Sequence, residues 1–127
     1  MYRFDKLHVK ELQEFLFFTP IHDARIKEVK YERDINRLLI RALNTTYDSE
    51  IAFIFLDVNI VLAIKGNDPG SRETIISLTI EEDFSCFENC FFYSDGMQNN
   101  SLYCVFQMFS GDEIHIVSRE INIELLM

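Results

Sequence analysis

The segment IAFIFLDVNIVLAI, residues 51–64, constrains the fold more than any other stretch of the chain. Its only polar positions are Asp57 and Asn59, and its even positions Ala52, Ile54, Leu56, Val58, Ile60, Leu62 and Ile64 are all apolar, so one face never breaks. Fully extended at about 3.3 Å per residue it would reach about 46 Å, whereas a compact chain of this length has a radius of gyration of only about 14 Å. A strand here must curl strongly or split in two, and Asp57 with Asn59 mark the corner. The run also falls short of the roughly 20 apolar residues that span a bilayer.

Just upstream, PIHDARIKEVKYERDINRLLIRALN (residues 20–44) carries half of the positive charge. Pro20 pushes Thr19 out of the helical region, so a preceding helix ends there. Apolar Ala24 and Ile26 lie on even positions and Val29 and Tyr31 on odd ones, the shift that one bulged residue near Lys27 and Glu28 would make. Arg33 to Asn36 reads as a turn. The chain resumes from Arg37 to Leu43 with Leu38, Ile40 and Ala42 on one face, which makes a hairpin. The same residues allow a rival, because Ile35, Leu38, Leu39, Ala42 and Leu43 also fit helical spacing, with Asp34 placed to cap it.

The order His22-Asp23-Ala24-x-Ile26-x-x-Val29, a turn, Leu39-x-x-x-Leu43 and then Ile51-x-Phe53 through Leu56-Asp57-Val58 resembles a set of small bacterial proteins. These open on an HD[AS]xIxxI strand and continue as an antiparallel sheet. The resemblance favours the hairpin over the helix. Some of those proteins are similar to immunity proteins that neutralise polymorphic toxins, which implies a binding role and assigns no functional residue.

Residues 6–18 have the pattern of an amphipathic helix with Asp5 as N-cap and Val9, Leu12, Phe15 and Leu16 facing a sheet. Gly66 to Gly70 is a turn without a nucleotide-binding pattern. Further strands are expected at Thr74 to Ile80, Asn89 to Tyr93 and Leu102 to Phe109, with a turn at Asp95-Gly96. The last strand begins with Ile114 and Ile116 on even positions and continues with Ile121, Ile123 and Leu125 on odd ones, which calls for a second bulge near Arg119 and Glu120. The expected fold is α+β: a mainly antiparallel, strongly curved β-sheet of seven or eight strands with one N-terminal α-helix packed on it, in a single domain over 1–127.

Charge bears on partners. The net charge is −9; residues 1–42 hold nine positive and seven negative groups, and residues 43–127 hold three and fourteen. So acidic a second part repels nucleic acid and anionic lipid and favours encounter with a basic protein. The same charge also serves plain solubility. The three cysteines are an odd number, as free thiols in the cytoplasm would be. The N-terminus lacks the apolar core of a secretion signal.

Two groups are candidate sites. His22 and Asp23 evoke a metal-holding dyad but lack the further ligands such chemistry needs, and they also suit a turn at strand entry. Glu81, Glu82 and Asp83 form an acidic turn able to meet a basic partner or to start a helical turn over Phe84 to Asn89. Cys86, Cys90, Cys104 and His115 lack paired zinc spacing, and Cys104 alternates like a core residue. No cofactor is expected. Three functions remain: a non-enzymatic cytoplasmic binding protein of immunity type, a small-ligand or metal-dependent enzyme using His22 and Asp23, and a module that oligomerises through a sheet edge.

Overall fold

The computed structural model of the chain describes residues 1–89 and 96–126. Its strands are β1 (Tyr2–Asp5), β2 (Arg25–Glu32), β3 (Arg37–Asn44), β4 (Ser49–Ile64), β5 (Ile75–Glu81), β6 (Leu102–Met108) and β7 (Glu113–Leu126), with helices α1 (Val9–Phe17) and α2 (Met97–Asn100). One antiparallel sheet runs in the order β2-β3-β4-β7-β6-β5. β7 pairs along its whole length with β4, and its other side is shared by β6 up to Ser118 and β1 from Glu120.

The hairpin over residues 24–43 forms as expected, with the register slipping between Ile26 and Glu28, so that Lys27 is the extra residue. A 3-10 turn at Arg33–Ile35 and Asn36 at φ 48° close it. Asn36 tolerates that left-handed backbone and fixes it with its side chain, accepting from the Tyr31 hydroxyl at 2.7 Å and donating to the Val58 carbonyl at 3.0 Å.

β4 stays one strand of 16 residues and turns its corner where the polar residues stand. Asp57 is left-handed at φ 52°, and the register against β7 slips between Val58 and Ile60. One expectation is corrected here, that of a second bulge near Arg119 and Glu120. The large buried side chains of the first half are the odd Ile51, Phe53 and Phe55, joined by the small Ala52, while the even Ile54 and Leu56 are only half-buried and Leu62 and Ile64 are exposed. Two phenylalanines bring more apolar area inside than the alternative face could. The register slips in β4, opposite Ser118 and Val117, and again in β5 between Ile75 and Ser77, rather than near Arg119 and Glu120. β7 changes its buried parity where it exchanges β6 for β1.

α1 covers one face of the sheet. Asp5 caps the 3-10 turn Lys6–His8 that leads into it, accepting from the Leu7 N–H at 3.0 Å. Leu12 and Leu16 enter the main core, with Val9 and Phe15 packed beside it. There Phe106 meets Phe53 and Phe55 edge-on at 5.2 and 6.3 Å. β1 and α2 were not foreseen, and the strand expected at Asn89 to Tyr93 falls largely outside the described residues, as does Asp95 of the expected turn.

On the opposite face Ile60, Phe84, Phe87, Met97, Tyr103, Val105 and Val117 form a second cluster. The fold is therefore α+β, mostly antiparallel, with a short N-terminal helix on the sheet. The sheet is not closed, although its two ends touch at one corner: Asp23 N–H donates to the Ile75 carbonyl (2.9 Å), Ile75 N–H to Ala24 (2.8 Å) and Ile26 N–H to Glu73 (2.8 Å). Among the described residues no helix is long and apolar enough to cross a membrane.

Candidate functional site

α1 ends in a way that leaves two large rings outside. Thr19 donates its hydroxyl to the Phe15 carbonyl at 2.7 Å and its N–H to Leu16 at 3.2 Å, and Pro20 lets the helix go no further. Phe17 and Phe18 are consequently 83% and 84% exposed, edge to face at 5.2 Å. Across from them the β3–β4 turn presents Tyr47, 68% exposed. Between these walls lies a cleft of about 660 Å³ whose lining includes Phe17, Phe18, Tyr47, His22 and Asp23.

Asn44 holds the two walls together. It is buried; its amide donates to the carbonyls of Pro20 (3.1 Å) and His22 (3.2 Å), and its oxygen accepts from the N–H groups of Thr46 (3.0 Å) and Tyr47 (3.4 Å). Every polar atom of that side chain is satisfied, so a buried amide is tolerated and the cleft has a rigid floor.

His22 and Asp23 sit at the mouth, both exposed, with Nδ1 and Oδ2 3.2 Å apart. Asp23 adopts φ 71° while its N–H is tied to β5, so the pair also shapes the turn into β2. His22 stacks edge-on against Phe109 at 5.8 Å. Among the described residues, no group of three or more metal-ligating side chains converges. Among the described residues lining the cleft, Asp23 is the one carboxylate and there is no lysine or arginine, a lining suited to a ring, an aliphatic stem or a cation more than to an anion.

Glu81, Glu82 and Asp83 are not brought to this cleft. They lie at the far end of β5, all exposed. Glu81 accepts from the Thr79 hydroxyl at 2.9 Å, and Asp83 accepts from the Ser85 N–H at 2.9 Å, starting the 3-10 turn Ser85–Phe87. The hydrogen bonds from Ser85 hold the Asp83 carboxyl below its ordinary range.

The candidate thiols and His115 also separate. Cys104 is wholly buried in the main core, and burial pushes its thiol up to about 12. Cys86 and His115 lie on the other face, each against Tyr103: Cys86 Sγ is 3.3 Å and His115 Nδ1 2.6 Å from the phenol oxygen, and His115 Nε2 is 2.8 Å from Glu113. Burial and the Cys86 thiol raise the Tyr103 hydroxyl well above its usual value. Cys90 lies outside the described residues.

The sequence reading missed Phe17, Phe18 and Tyr47, and it missed the Tyr103 contact. The available signals were two phenylalanines beyond the last buried turn of the helix, and Glu113 and His115 sharing one strand face. No protein-family model matches the chain, and no curated protein matches it.

Proposed function

We propose that this chain is a non-enzymatic bacterial binding protein, an immunity-type inhibitor whose acidic surface covers a basic protein partner in the cytoplasm. The observation that carries this reading is the rim of Phe17, Phe18 and Tyr47, which leaves three large rings in water around a cleft with a carboxylate at its mouth. Clustered exposed apolar area of this kind is what interfaces use, with aromatic side chains as anchors. The surplus of negative charge in residues 43–127 speeds the approach of a basic protein and selects against acidic ones. The free thiols Cys86 and Cys104 agree with a reducing compartment. We read the sheet as strongly curved, its ends drawn together at the Asp23–Ile75 corner.

The test is calorimetric titration of the purified product of the adjacent gene into the full chain. Binding that weakens steeply with salt, and by about 2 kcal/mol or more on Phe18→Ala or Tyr47→Ala, is the expected result. An acidic partner, or affinity indifferent to both substitutions, would overturn it.

A further inference from the structure

The open strand edges of the sheet are not alike. β2 protects its edge with the bulge at Lys27 and with Glu28 and Lys30, features that discourage further pairing. β1 is only four residues long and carries Arg3 and Asp5. β5 has a bulge as well, where its register against β6 slips between Ile75 and Ser77, but beyond it the edge is unguarded. Its stretch Ser77-Leu78-Thr79-Ile80 contains neither charge nor proline.

Residues 73–75 are already bonded to the start of β2. From Ser77 to Glu81, the backbone bonds among the described residues go to β6 alone. Beside this edge runs α1, and between helix and strand lies a groove of about 450 Å³ lined by Gln13, Leu16, Phe17, Leu78, Thr79 and Ile80. Phe17 lines both this groove and the aromatic cleft, so the two form one track. A free strand edge flanked by a helix, with apolar side chains between them, is the geometry that takes up an extended peptide as an added strand: main-chain bonds supply affinity, and alternate side chains enter the groove.

Charge selects the occupant. The track ends at Glu81, Glu82 and Asp83, which have no ion-pair partner among the described residues; the nearby Lys6 lies over the Phe84 ring at 5.3 Å.

We infer that a basic protein partner docks an extended segment along Ser77–Glu81, antiparallel to β5, with apolar alternate side chains in the α1–β5 groove and its lysines or arginines against Glu81, Glu82 and Asp83. This specifies the mode of the binding proposed above and rests on that reading.

The probe is a capped synthetic peptide, Lys-Lys-Thr-Val-Thr-Val-Thr, titrated into the full 15N-labelled chain while amide exchange is followed by NMR. The expected result is slowed exchange at the amides of Ser77–Glu81 that face away from β6. That protection should vanish for a twin with proline at the central valine, and affinity should fall by roughly tenfold for the doubly exposed variant Glu81→Lys/Glu82→Lys, whose fold the unchanged remainder of the spectrum certifies. Equal binding of the proline twin, or contact shifts without protection of those amides, overturns strand addition while leaving a basic partner intact. A mass that doubles with concentration in the absence of peptide overturns it too, since the edge would then belong to a second copy. The parent reading fails separately, if the adjacent-gene titration shows no basic partner.

Discussion

Asn44 and Asp112 show how much single polar side chains decide here. Replacing Asn44 with alanine leaves the carbonyls of Pro20 and His22 and two turn N–H groups without their partner; a cost of about 1–3 kcal/mol is expected in denaturant unfolding, together with weaker partner binding because the cleft walls part. Asp112 accepts from the Gly66 N–H at 2.6 Å and from Arg72 at 2.7 Å, and these bonds, Gly66 first, hold its carboxyl below its ordinary value. A carboxyl depressed on folding contributes stability above its unfolded value, near pH 4, and loses it as pH falls through the folded value. The difference in melting temperature between the native chain and Asp112→Asn should therefore be largest at neutral pH and shrink below about pH 4. The thiols divide by place: iodoacetamide should label exposed Cys86 in the native chain and reach buried Cys104 only on unfolding, as peptide mapping would show. Cys104 was legible in the sequence because it alternates with Leu102, Phe106 and Met108. The Tyr103–His115 contact was not, since it joins side chains on paired strands whose register no local pattern states.

At the scale of elements, legibility followed locality. The β2–β3 hairpin could be read because its bulge shifts the apolar parity at Lys27 and its turn is written in Asp34 and Asn36, all within a few residues. The corner of β4 could be read from Asp57 and Asn59 in the same way. The buried face of β4 could not, because both faces are apolar and the choice is made by Phe106 on β6, far along the chain, which packs against Phe53 and Phe55. Phe106→Ala should cost about 3–5 kcal/mol, against a fraction of that for the half-buried Leu56 on the opposite face. β1 escaped notice because four residues hold too little pattern, and its pairing depends on Ile121 and Ile123 at the other end of the sequence. The aromatic cleft was hidden for a related reason: helix end, strand entry and β3–β4 turn meet only once Asn44 is buried between them.

For the whole molecule the decisive fact is that β7 stands between β4 on one side and β6 with β1 on the other. A chain ending at Asp112 would keep the β2–β3–β4 and β5–β6 ribbons but lose the seam between them, leaving only the short corner from Asp23 to Ile26 against Glu73 to Ile75 to join them. It should show neither a cooperative melt by circular dichroism nor dispersed amide resonances; a native-like spectrum would show that the two ribbons can meet without the seam. The uneven charge acts at this scale as well, since the acidic part of the sequence includes both β5 and the turn beyond it. The order of manufacture then differs from the order of assembly. While the polypeptide leaves the ribosome, two half-sheets must wait, greasy sides unshielded, for a segment still to be translated. Such a protein is at its most vulnerable to sticking and proteolysis just before β7 arrives, which gives a holding chaperone its moment to act.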